Sequence, residues 1–139
     1  MTFTVRAHAT PDGLGEARVH GGAAVAFDAS AGRSEDLPSP ADLLTAAFAA
    51  CTLKNVARFA EILGFSYQQA RIEVVSQRQD SPPRISRVDW VLTIVTSDPP
   101  DRLRLLQTNI ERQGTIYNTV AAAAEITGRI VIDPTSDPD

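Results

Sequence analysis

The chain has 139 residues, 43% of them hydrophobic and 22% charged. That is enough chain for one domain with a buried core, and too ordinary a composition for wholesale disorder. The net charge of -4 excludes a general nucleic-acid binder, which needs a basic face to displace phosphate counterions. With a single cysteine, Cys51, and two distant histidines, His8 and His20, there is no internal disulfide and no zinc spacing.

In chain order, "TFTVRAH" alternates Phe3, Val5 and Ala7 with polar residues, which predicts a half-buried strand. Pro11, Gly13 and Gly15 mark a turn, and Glu16–Asp28 reads as one or two further strands broken near Gly21-Gly22. A polar loop, "ASAGRSEDLPS", leads to a helix from Pro40 to a stop at Gly64, with Ser39 as N-cap, proline in the first turn and Asp42 at the positive end of the dipole. Its apolar residues point in nearly every direction, so it is expected to be buried on most sides, with a second chain as one source of cover. "ARIEVVSQRQ" and "RISRVDWVLTIVTS" predict two long strands joined by "SPPR", the second placing Val88, Trp90, Leu92 and Ile94 on one face. "DRLRLLQTNIERQ" predicts an amphipathic helix with Leu103, Leu106 and Ile110 as its stripe; "TIYNTVAAAAEIT" predicts another, capped by Thr115; "GRIVID" closes as a strand. The order predicts α+β rather than repeated βαβ units.

A lone thiol suits a reducing compartment, and "MTFTVRAHAT" is too polar for a signal peptide. The Pro40–Leu63 run is interrupted by Asp42, Lys54, Arg58 and Glu61, against a membrane span. The expectation is a soluble, cytoplasmic protein.

Cys51 has two readings. In an alanine-rich helix a free cysteine commonly packs as a small hydrophobe. As a reactive thiol it needs its thiolate stabilised. The helix dipole fades within the first turn, and Cys51 lies about three turns in. A cation would have to serve: Lys54 three residues on, Arg33 in the preceding loop, or Arg18 in a strand. The residues by themselves do not choose among these.

"SPADLLTAAFAACTLKNV" resembles the first long helix of the OsmC/Ohr proteins, whose pattern is Pro-Glu-x-Leu, small residues, then Cys; "ERQGTIYNTV" resembles their second motif, Cys-Pro-Val-Ser-x-x-Leu. The resemblance implies an α+β fold with antiparallel sheets around two long central helices, in an intertwined homodimer with two interfacial sites. It implies thiol-dependent reduction of organic hydroperoxides with no metal or organic cofactor. In such a family a peroxidatic cysteine becomes a sulfenic acid, a second cysteine condenses with it, and an external dithiol reduces the disulfide. An arginine holds the thiolate, and a glutamate near the helix start orients the arginine. Cys51 matches the peroxidatic position, and Arg33 matches the arginine in a loop of somewhat different length; a solvated loop charge is the other reading of Arg33. Two positions depart. The glutamate, ten residues before Cys51, is Ala41, and the adjacent Asp42, turned by about 100°, reads as a helix-end charge. The second cysteine position is Gly114 or its neighbour, so the usual cycle cannot close within the chain.

The expectation is therefore a diverged OsmC-like protein: one domain over residues 1–133, a disordered tail over 134–139, and a weak one-cysteine hydroperoxide reductase using Cys51 and Arg33. Its partners would be a second copy, a small hydroperoxide or apolar ligand, and an external thiol, with neither nucleic acid nor membrane. The alternatives are a non-catalytic binder of a small apolar or acidic ligand, walled by Phe48, Tyr117 and Trp90 where these are not ordinary core, and a redox sensor built on the same cysteine.

Overall fold

A computed structural model of the chain describes residues 1–134, so most of the expected tail lies outside the described residues. The chain divides into two compact units, Met1–Leu44 and the part from Thr45 onward.

The first unit is a meander of β1 (Arg6–Ala9), β2 (Leu14–Arg18) and β3 (Ala24–Asp28), antiparallel throughout, with Arg6 opposite Arg18 and Leu14 opposite Asp28. The expected break falls between β2 and β3, where Gly21 and Gly22 take φ of 88° and 91°, a turn that side-chain-bearing residues resist. Beyond β3 the loop is organised by Asp28, which is 8% exposed. Its carboxylate accepts from the Ser30 hydroxyl at 2.6 Å, the Ser30 amide at 2.9 Å and the Ser34 amide at 2.8 Å. The Ser30 hydroxyl, then these amides, hold the Asp28 carboxyl below its ordinary pKa. Its own amide donates to Pro38 O at 2.9 Å.

The long helix α1 (Pro40–Leu63) starts as its sequence dictates. The Asp42 amide donates to Ser39 Oγ at 3.1 Å, while Asp42 Oδ2 accepts from the Ser39 amide at 2.9 Å and hydroxyl at 3.0 Å. This reciprocal pairing satisfies donors that the helix leaves open. At the other end Gly64, with φ of 73°, lets the amides of Gly64 and Phe65 both reach Ala60 O.

In the second unit, β4 (Gln69–Asp80) and β5 (Pro83–Val95) form the expected hairpin. A 3-10 turn at Pro100–Leu103, α2 (Leu106–Gln113) and α3 (Thr115–Ala121) then lead to β6 (Glu125–Asp133). The sheet order is β4-β5-β6. Val88, Trp90, Leu92 and Ile94 are all buried, as their alternation predicts, and join Phe48, Val56 and Phe59 of α1 with Leu103, Leu106 and Ile110 in one core.

Several features differ from the sequence expectation, beginning with β1, which is exposed along its length rather than half-buried. β6 runs parallel to β5, so the second sheet is mixed rather than antiparallel; the α2–α3 segment supplies the crossover that a parallel pair requires. Among the described residues α1 is the one long helix, with α2 and α3 of eight and seven residues. The stripe expected of one amphipathic helix is split, with Leu103 in the 3-10 turn and Leu106 and Ile110 on α2. Finally, α3 stops at Ala121, and Glu125–Thr127 belong to β6, where Ile126, Ile130 and Ile132 keep the period of two. The residue before α3 is Gly114 in extended conformation, and Thr115 is already helical rather than the cap.

Candidate functional site

The buried face of α1 in the second unit is Phe48, Thr52, Asn55, Val56 and Phe59, the spacing of one helical stripe. Cys51 lies at the edge of that stripe, three residues after Phe48 and four before Asn55, and is half-buried. A thiol there is neither sealed in the core nor open on the surface. Thr52 turns its hydroxyl back to Phe48 O at 3.0 Å and so is not aimed at the sulfur. Asn55 is 7% exposed, and its side-chain amide nitrogen lies 3.9 Å from Cys51 Sγ, donating to it.

The junction of α2 and α3 meets this edge of α1. Gly114 is buried there, and an ideal Cβ at that position would lie 3.2 Å from Asn55 Nδ2, 3.1 Å from Ile110 O and 2.9 Å from Tyr117 Cβ. With φ of -76° the glycine is required by this close approach and not by its backbone angle. Tyr117 then reaches back to α1, its ring 5.6 Å from that of Phe48 and tilted by 35°. Phe48, Cys51, Asn55, Gly114 and Tyr117 thus form one cluster between α1 and the start of α3. Burial, and behind it the Glu111 carboxylate, raise the Tyr117 phenol above its ordinary value, so at neutral pH it is an O–H that can donate.

Of the residues singled out from sequence, Cys51, Phe48, Tyr117 and the Gly114 position come together. Trp90 does not line the cluster as a wall in its own right: it is 2% exposed, a core residue of β5 whose ring lies against Gly128 of β6. Lys54 is exposed on α1. Arg18 and Arg33 belong to the first unit. Arg18 pairs with Glu16 at 3.0 Å and donates to Gly22 O at 3.4 Å. Arg33 is exposed in the loop that Asp28 organises. Asp42 keeps its role as a helix-end charge: the Ser39 amide and hydroxyl lower its pKa, and the charge of Arg33 adds to the effect. Asn55 was not singled out from sequence, although its spacing of four from Cys51 was the available signal.

Among the described residues no cluster of His, Cys, Asp and Glu could hold a metal ion, and no helix is long and apolar enough to cross a membrane.

Comparison with known proteins gives the family and the fold. The family described as OsmC-like protein matches residues 32–128. A search of the curated proteins gave no match. Among solved structures, an OsmC-like protein of Mycoplasma pneumoniae superposes with a TM-score of 0.84 at 14% identity, over 96% of this chain and 98% of that one. An organic hydroperoxide resistance protein of Legionella pneumophila gives 0.69 at 14% identity, over 94% and 96%. The organic hydroperoxide resistance protein OhrB of Bacillus subtilis gives 0.66 at 14% identity, over 94% and 98%. At these identities the structural likeness carries the fold alone. The family match spans well over half of the chain and includes both the α1 cysteine and the α2–α3 junction, and the protein belongs to the OsmC-like family.

Proposed function

We propose that the protein reduces organic hydroperoxides with Cys51 as its only redox thiol, and that it does so as a homodimer. The observation that carries this is the half-buried Cys51 sulfur, held by a buried amide donor beside the Phe48–Tyr117 ring pair. A sulfur in that setting has a polar partner for its charged form and an apolar wall for the organic part of a substrate. The names of the Legionella and Bacillus neighbours supply the reaction class by analogy.

In the proposed step the Cys51 thiolate attacks the terminal peroxide oxygen. The S–O bond forms, the O–O bond breaks, and the alkoxide leaves with a proton as the alcohol. Sulfur is oxidised by two electrons and becomes a sulfenic acid. With no second cysteine in the chain, an external thiol condenses with it: the S–S bond forms and water leaves. A second external thiol then frees Cys51 and carries away the disulfide. Arg33 is the cation proposed to favour the thiolate, by its match to the family arginine.

The homodimer is supported by apolar surface on both units. In the first unit Phe3 and Val5, just ahead of β1, are 78% and 56% exposed, and Leu14 of β2 is 51% exposed, apolar surface that a second copy would cover. On α1, Ala46, Ala50 and Ala57 are exposed and lie on one stripe, a surface that admits close helix contact. Light scattering should return about twice the chain mass of 14.9 kDa; a monomer at micromolar concentration would exclude the interfacial arrangement.

The reaction is tested by brief exposure to cumene hydroperoxide, trapping with dimedone, and mass spectrometry of the Cys51 peptide. A sulfenic-acid adduct, and peroxide-dependent consumption of an added dithiol, are expected. An inert thiol would point instead to a non-catalytic binding protein, and an adduct without turnover to a sensor.

A further inference from the structure

We propose that the Asn55 carboxamide is a resident donor to the Cys51 sulfur and occupies the room that a side chain at position 114 would need. Its consequence for catalysis rests on the hydroperoxide reading above; the placement itself does not.

One nitrogen makes both contacts. Asn55 Nδ2 is 3.9 Å from Cys51 Sγ and 3.2 Å from where a Cβ at position 114 would stand. The Cβ alone already crowds the amide, as it does Tyr117 Cβ at 2.9 Å and Ile110 O at 3.1 Å, so a side chain at 114 and the amide at 55 compete for room. The amide does what a second thiol cannot: it donates an N–H and is itself inert to oxidation. An N–H to neutral sulfur is weak, and it strengthens when the sulfur is charged. Asn55 therefore favours the attacking form of Cys51. It also leaves the sulfenic acid without an internal trap, so that the oxidised sulfur must meet a small external thiol. Asn55 is nine-tenths buried in the second unit, which keeps competing water from the amide and fixes its direction.

The test uses the intact chain. Cys51 alkylation by iodoacetamide is measured at neutral pH in the native protein, in Asn55→Leu, which keeps the size and loses the donor, and in Asn55→Asp, which keeps the shape and presents acceptors. Alkylation should slow about five-fold in Asn55→Leu, the worth of one hydrogen bond, and further in Asn55→Asp. A packing role alone would leave Asn55→Leu at the native rate; the charge of Asn55→Asp slows alkylation whatever the native amide does, and reports only that position 55 faces the sulfur. A native rate in Asn55→Leu would overturn the donor assignment; if Asn55→Leu does not fold, Asn55→Ala, which loses the donor and adds no charge, decides in its place. The shared space is read by a double-mutant cycle of Asn55→Ala with Gly114→Ala. The melting loss of Gly114→Ala should be smaller when Asn55 is already truncated, and strict additivity would overturn the shared-space claim. Absence of a sulfenic-acid adduct in the native protein, with the alkylation order intact, would overturn the hydroperoxide reading and leave the Asn55 assignment standing.

Discussion

Cys51→Ser should leave the fold intact and remove the proposed peroxide turnover entirely. The change replaces one atom on a half-buried helix edge, where stability shifts stay within about 1 kcal/mol. The chemistry does not survive it. An alcohol is un-ionised at neutral pH and is a poor nucleophile toward peroxide oxygen, and the chain holds no other thiol to substitute. Dithiol consumption driven by cumene hydroperoxide should therefore fall to the uncatalysed rate, with the native mass in solution and the helical circular dichroism unchanged. Turnover retained in a folded Cys51→Ser would place the reaction elsewhere or remove it from this protein.

The largest effect on stability is expected at Gly128. It sits opposite Trp90 in the parallel β5–β6 register, and a Cβ there would fall within the envelope of the indole atoms Cε2, Cδ2 and Nε1. Trp90 is 2% exposed, with Leu92 and Ile94 beside it on the same strand face at 0%. The ring has nowhere to go without opening the core. The Gly128 carbonyl is also tied to Gln107 Nε2 at 3.1 Å, which couples β6 to α2. Gly128→Ala should cost about 3 kcal/mol, at the upper end for overpacking, and lower the melting temperature by roughly 10 °C for a domain of this size. The fluorescence of the single tryptophan reports the ring directly. A melting temperature within a few degrees of the native value would show that the indole moves at little cost. Trp90→Phe added to Gly128→Ala should recover part of the loss by making room for the new methyl.

Much of this protein follows from short-range rules that its sequence displays. Ser39, Pro40 and Asp42 determine where α1 starts, because the donors they satisfy lie within one turn, and Gly64 ends it by a backbone angle that other residues avoid. The alternation of Val88, Trp90, Leu92 and Ile94 determines which face of β5 is core. The motif around Cys51 was sufficient to identify the family. The tertiary structure decided what depends on residues far apart in the chain. Trp90 as core rather than pocket wall is a matter of Gly128 lying across from it. The parallel β6 is set by where α2 and α3 deliver the chain, and the strand, not the helix, claims Glu125–Thr127 because Ile126 is drawn to the β5 side of the core. Asn55 shows the limit most clearly. Within α1 it is one polar residue on an apolar stripe, and its spacing of four from Cys51 is the one mark its neighbourhood of sequence gives it. Its meaning comes from Gly114, on the far side of the β4–β5 hairpin, whose missing side chain leaves the space that the amide fills. Periodicity and capping are local and can be read along a chain; complementarity between a side chain and a distant vacancy exists only once the core has packed.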